Sequence, residues 1–146
     1  MPGRCVFCDI IRGELPAVKL YEDQLTIVFL DIYPAAPGHA LVVPKQHAER
    51  LEHLPRVYRE ALINTAARVA PLIADALGRD AYNLVLNNGA AAGQEIMHVH
   101  MHIIPRGRGD ECRVISCRRS RPSYTELRET GERIRRVIEE HLDGLH

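Results

Sequence analysis

The chain contains no tryptophan and only two phenylalanines, too little aromatic surface for a broad base-stacking platform. It has no excess of charge either. Its 19 basic and 19 acidic side chains cancel, so overall charge gives no argument for binding nucleic acid or an anionic membrane. No apolar run approaches the ~20 residues of a membrane-spanning helix. The segment 1–11 carries an acid and two cysteines without an apolar stretch, so it does not read as a secretory signal, and a cytoplasmic protein is expected. Repeats, low-complexity tracts and long linkers are missing as well. What is there is a chain of 146 residues, 46% apolar and 26% charged, the size and balance of one domain with a substantial core. Histidine is the unusual component, with eight copies beside four cysteines. In a reducing compartment those cysteines favour metal binding or free thiols over disulfides.

Local pattern predicts an α+β fold. Ile10-Ile11 followed by Gly13 fits a short helix with a glycine stop. Leu25–Ile32 reads as a strand, 33–38 as a turn with two prolines and a glycine, and His39–Val43 as a second strand ended by Pro44. Together they predict an antiparallel hairpin. A long helix is expected over 54–77, with Val57, Ala61, Leu62, Ala66, Val69, Ala70, Ile73 and Leu77 on its buried face. Pro71 predicts a kink or a break into two helices, and Gly78 a C-terminal cap. Tyr82–Leu86 and Ile96–Ile104 read as further strands, the last ended by Pro105, with a small-residue loop at 87–93 between them. Ser123 and Glu126 form a capping box for a final helix to about His141, braced by the pairs Glu129/Arg133 and Glu132/Arg136.

The chemistry concentrates in Met97-His98-Val99-His100-Met101-His102-Ile103-Ile104-Pro105. A strand places positions i, i+2 and i+4 on one face. His98, His100 and His102 would then line one surface, roughly 6.6 Å apart at Cα, with Val99, Met101 and Ile103 facing the core. Such a row has three readings: a solvated strand face, a metal site using all three rings, or a nucleophilic site. Neutral imidazole attacks phosphorus well and can carry the transferred group, while a neighbouring imidazole donates protons. The loop Gly89-Ala90-Ala91-Ala92-Gly93 would let backbone N–H groups approach a phosphate, or be only a flexible turn.

With these residues in view, the chain resembles the histidine-triad family of nucleotide hydrolases and transferases over nearly all of residues 5–106. The similar segments are Cys5-x-Phe7-Cys8-x-Ile10-Ile11-x-Gly13-Glu14-x-Pro16, then Leu30-Asp31-Ile32-x-Pro34-x-x-Pro37-Gly38-His39 and Val43-Pro44-Lys45-x-His47. They are followed by Asn87, Ala92-Gly93-Gln94 and His98-x-His100-x-His102-Ile103-Ile104-Pro105-Arg106. The resemblance implies an antiparallel sheet of about five strands with flanking helices, continued across a homodimer. It implies a purine nucleotide substrate, an AMP or GMP derivative such as a nucleoside phosphoramidate or dinucleoside polyphosphate, hydrolysed at the α-phosphorus. His100 would be the nucleophile that forms a nucleotidyl-histidine, His102 a phosphate ligand assisting proton transfer, and His39 a supporting member. Asp31 would hold the ribose hydroxyls, and Phe7, Ile10, Phe29, Leu30 and Ile32 the base. Asn87, Gly93, Gln94, Glu95 and Ile96 would line the phosphate and leaving-group end. Glu95 departs from the Ser or Thr of many members, and a carboxylate beside phosphate repels it. Interception of the intermediate by another acceptor would make a transferase; loss of turnover would leave a nucleotide-binding regulatory module.

Cys5-x-x-Cys8 has zinc-ligand spacing. The resemblance implies a structural zinc completed by His47 and His98, leaving His98 outside catalysis. A set of four thiolates with Cys112 and Cys117 is the alternative. The chain reads as a single domain over 1–146, with its core at 5–106 and a C-terminal loop and helix over 107–146; residues 106–121 hold six arginines against Asp110 and Glu111, read as a solvated loop more readily than as a nucleic-acid patch. His53, His141 and His146 are expected at the surface.

Overall fold

Two strands buried on both faces organise the molecule. In β2 (Thr26–Leu30) and β3 (Ala40–Pro44) nearly every residue is buried, which is why both segments are almost continuously apolar. They form the expected antiparallel hairpin, with Ile27 opposite Val43 and Phe29 opposite Leu41. Val28, Ala40 and Val42 face one side and pack with Leu62, Ala66 and Ala70 of α2 (Arg56–Ala76). Ile27, Phe29, Leu41 and Val43 face the other side and pack with Phe7 of α1 (Val6–Ile11). With β1 (Lys19–Glu22), β4 (Ala81–Val85) and β5 (Met101–Arg106) they make a five-stranded antiparallel sheet in the order β1-β2-β3-β5-β4. This is the α+β architecture that the sequence predicts. The computed structural model describes residues 4–114, 117 and 119–142. His146 lies outside them.

Several elements differ from expectation for identifiable reasons. β1 was not expected: it is a short edge strand of mixed polarity with a bulge between Lys19 and Tyr21, without an apolar alternation. β5 starts at Met101 rather than Ile96. Upstream, the His98 N–H donates to the Ile96 carbonyl (2.9 Å) and the Val99 N–H to the Ala48 carbonyl (2.8 Å), so residues 96–100 are tied to a loop and not to a ladder. Pro105 lies inside β5 and does not end it. β3 pairs only with residues 101–103, so the missing N–H takes nothing from that ladder.

α2 runs unbroken through Pro71, against the expected break. Pro71 and Ala67, whose carbonyl loses its helical donor, are both exposed, and water can satisfy that carbonyl. Val57 (53% exposed) and Leu77 (45%) lie off the buried face. Thr65 takes a core position instead, its hydroxyl 2.9 Å from that of Thr26. Gly78 follows the helix at φ +65°, the left-handed turn that glycine tolerates.

The contacts divide the chain into two units after Val114. In the second, α3 (Tyr124–Leu142) opens on the expected capping box: the Glu126 N–H donates to Ser123 Oγ (3.1 Å) and the Ser123 N–H to Glu126 Oε1 (3.4 Å). The expected bracing is not made. Glu129, Arg133, Glu132 and Arg136 are exposed and form no ion pair among the described contacts, because in water such pairing gains little. His53 and His141 are at the surface.

Candidate active site and metal centre

The sheet face under α1 carries the chemistry. Antiparallel pairing sets Phe29, Leu41 and His102 side by side, and the Asp31 N–H donates to the His39 carbonyl (2.9 Å). Strand alternation therefore brings Asp31, His39 and His102 onto one patch. His39 Nε2 lies 2.9 Å from His102 Nδ1. Asp31 Oδ2 lies 3.5 Å from His39 Nε2 and 4.0 Å from His102 Nδ1, while its Oδ1 accepts from the Tyr33 N–H (2.8 Å).

His100 precedes β5, its ring 5.0 Å from that of His102 and 5.0 Å from that of Phe7, edge to face. Its Nδ1 is 2.7 Å from the His98 carbonyl. A carbonyl only accepts, so Nδ1 carries the proton and Nε2 keeps its lone pair. Burial holds His100 and His39 below the usual histidine pKa, and pushes His102 down to about 4. All three rings are neutral near pH 7, the form needed for nucleophilic attack.

The other residues expected at the site are distributed around it. Phe7 and Phe29 meet edge to face at 5.5 Å, with Ile10 and Ile96 partly buried against the same cluster. Leu30, expected beside them, packs against the α2-side cluster, because alternation turns it to the other face from Phe29. Ile32 is 80% exposed. Gly93, at φ +94°, faces Asn87, whose side-chain nitrogen lies 3.7 Å from where a Cβ would stand. Gln94 is buried with its amide fully engaged: it accepts from the Gly89 N–H (2.7 Å) and donates to the carbonyls of Glu49 (2.8 Å) and Ile96 (3.0 Å). Its side chain holds the loop together and is not free for a ligand. Glu95 is exposed.

His98 belongs to a different group. Its ring is fully buried and its Nε2 is 2.9 Å from the Pro44 carbonyl. The proton sits on Nε2, which leaves Nδ1 as a ligand atom. That Nδ1 is 3.2 Å from His47 Nδ1, 3.4 Å from Cys5 Sγ and 3.6 Å from Cys8 Sγ, and Cys8 Sγ is 3.5 Å from His47 Nδ1. Zinc–ligand bond lengths imply tetrahedron edges of about 3.3 Å between two nitrogens and about 3.6 Å between nitrogen and sulfur. The four residues therefore fit a tetrahedral ion, and the set closes without Cys112. Burial, reinforced by the Cys5 thiol, pushes the Cys8 thiol up to about 11, so a bound cation is what would hold it as thiolate. The three histidines do not converge on one metal. Asp31, His39 and His102 also lie close enough to share an ion, but the 2.9 Å spacing of their ring nitrogens is that of a hydrogen bond.

Sequence reasoning missed the backbone partners: the Ala35 N–H on His39 Nδ1 (2.9 Å), the Pro44 carbonyl on His98 and the His98 carbonyl on His100. Main-chain groups leave no side-chain signature; only the Pro34-x-x-Pro37 turn hinted at one of them.

A metal-type Cys/His centre beside a neutral histidine cluster on an antiparallel sheet defines a class, and the comparisons agree with it. The HIT domain model matches residues 12–109. Adenylylsulfatase HINT3 of Arabidopsis thaliana is 48% identical over 106 residues, covering 73% of this chain and 54% of that protein. Adenosine 5'-monophosphoramidase HNT1 of Saccharomyces cerevisiae is 43% identical over 106 residues, covering 73% of this chain and 65% of that protein. The chain thus spans about half to two thirds of the length of these relatives. A Zn-bound histidine triad family protein from Mycobacterium smegmatis superposes with a TM-score of 0.72 at 34% identity over 97% of each chain. This chain belongs to the HIT domain family.

Proposed function

We propose that the protein is a hydrolase that cleaves an adenosine 5'-phosphate derivative at its α-phosphorus and releases AMP. The observation that carries this reading is the orientation of His100. The His98 carbonyl holds its Nδ1–H, so Nε2 presents a lone pair beside His102. Nε2 attacks phosphorus while His102 hydrogen-bonds a phosphoryl oxygen, the bond from phosphorus to the leaving group breaks, and the leaving group departs with the electron pair and takes its proton from solvent. Water then cleaves the nucleotidyl-histidine and restores the ring. Relatives named as an adenosine monophosphoramidase and an adenylylsulfatase support an adenine nucleotide with a small leaving group, such as an amine or sulfate. Asp31 suits the ribose hydroxyls, and the Phe7–Phe29 cluster the base.

The Cys5, Cys8, His47 and His98 set takes structural zinc, which when bound supplies four fixed bonds and no reactive position. The Zn-bound mycobacterial relative supports the metal's identity. β4, paired only with β5, is the edge that a second copy would extend into a homodimer, and the protein works in the cytoplasm.

The deciding assay follows AMP from adenosine 5'-phosphoramidate, adenylyl sulfate and a diadenosine polyphosphate, with His100→Ala in parallel. AMP that requires His100, together with an acid-labile adenylyl adduct in the parent, establishes the reading. AMP binding without turnover of any of the three overturns it in favour of a binding module.

A further inference from the structure

We propose that the main-chain N–H of Ala35 fixes the direction of a hydrogen-bond chain, Ala35 to His39 to His102, and so sets His102 as a hydrogen-bond donor at Nε2. Ala35 is a positioning residue in this scheme. Its consequence for rate rests on the reading of His100 as nucleophile; the tautomers themselves do not.

The argument is one of donors and acceptors. A backbone N–H can only donate, and the Ala35 N–H lies 2.9 Å from His39 Nδ1. Nδ1 of a neutral His39 is therefore an acceptor, and its proton is on Nε2. Asp31 Oδ2, 3.5 Å from that Nε2, accepts only and favours the same tautomer. His39 Nε2–H then donates across 2.9 Å to His102 Nδ1. His102, also neutral, must carry its proton on Nε2.

Carbonyls set the other two rings: Pro44 holds a proton on His98 Nε2, and His98 holds one on His100 Nδ1, so His100 alone of the four takes the opposite tautomer. One backbone donor and one backbone acceptor thus prepare unlike neighbours, a lone pair at His100 Nε2 and an N–H at His102 Nε2. That is the combination needed to attack phosphorus and to hydrogen-bond the phosphoryl oxygen on which negative charge develops. Without the Ala35 N–H, His39 is free to protonate Nδ1. The chain would then reverse, and His102 would present a lone pair where a donor is required.

The test reads tautomers in metal-loaded protein with 15N-labelled histidine, by long-range proton–nitrogen correlation. The parent should show His39 and His102 protonated at Nε2 and His100 at Nδ1. Ala35→Pro removes the N–H while also fixing φ at this position and restricting Pro34 before it. It should move His39 and His102 toward the Nδ1–H form and lower kcat for AMP release on the order of 10²-fold, with KM little changed. Should that variant fail to fold, the pair His39→Gln and His39→Glu decides. The Gln amide donates to His102 Nδ1 and keeps its Nε2–H, whereas the Glu carboxylate accepts and inverts it. A parent His102 protonated at Nδ1, or tautomers unmoved in the folded Ala35→Pro variant or unmoved between the Gln and Glu variants, would overturn the inference. The expected tautomers in a protein that releases no AMP would sink the enzymatic reading and leave the inference standing.

Discussion

His100 is the residue on which the most depends. Replacing it with Ala should lower AMP release by about 10³-fold or more, as removing a nucleophile does elsewhere. Adenine nucleotide binding should survive, because Asp31 and the aromatic cluster remain. Titration calorimetry beside the rate assay separates the two. His102 supplies a pH prediction. Burial holds its folded pKa at about 4 against 6.5 for the free ring. The unfolded chain therefore takes up a proton between pH 6.5 and 4 that the folded protein refuses. The contribution to stability is complete above pH 6.5, declines as pH falls toward 4, and does not fall further below that. It amounts to on the order of 3 kcal/mol at most. Denaturant midpoints measured from pH 7.5 to 4 should fall over this window, and less so in His102→Gln.

At the scale of elements, α2 and the 87–94 loop make opposite predictions. Pro71 sits in the interior of α2 with its ring exposed. Pro71→Ala restores a helical N–H and should stabilise the protein by roughly 1 kcal/mol, the helix gain being offset by greater freedom of the unfolded chain. A rise in thermal midpoint with activity unchanged is the expected outcome. Gln94→Ala should do the reverse. It strips partners from the Gly89 N–H and the Glu49 carbonyl and leaves the Ile96 carbonyl to the His98 N–H alone, costing about 2 kcal/mol. It should also lower activity, since the same side chain shapes the loop leading into the histidines. A Gln94→Ala variant with parental stability would show that water replaces the amide there.

Across the whole molecule, the metal centre joins parts distant in sequence. Cys5 and Cys8 open α1, His47 follows β3, and His98 precedes β5. The His98 ring belongs to the cluster while its carbonyl orients His100. Chelation, or Cys8→Ser, should therefore lower zinc content, thermal stability and AMP release together, whereas Cys112→Ser should leave zinc content unchanged. Elemental analysis with calorimetry checks this. Loss of zinc without loss of stability would remove the centre's structural role. Much of this assembly was readable beforehand: the residue types, their spacings and the hairpin carrying Asp31 and His39. The division of the three histidines between two sites was implied by the family resemblance and not by strand periodicity, because period-two alternation assumes an unbroken strand, and the tie of Val99 to Ala48 breaks it.

The sequence by itself determined the central hairpin, the long helix, the family and the candidate chemical groups. Apolar periodicity, caps and side-chain chemistry are local properties, and a linear motif records them. Tertiary structure alone decided how His98 and His100 part company: the Val99 N–H between them donates to the Ala48 carbonyl instead of continuing the ladder. It alone decided that Gln94 points inward and which nitrogen of each ring bears its proton. Those choices are made by main-chain N–H and C=O groups, some near in sequence, as His98 to His100, and some remote, as Pro44 to His98. Every residue other than proline carries both groups alike, so no sequence pattern can single out the ones that act.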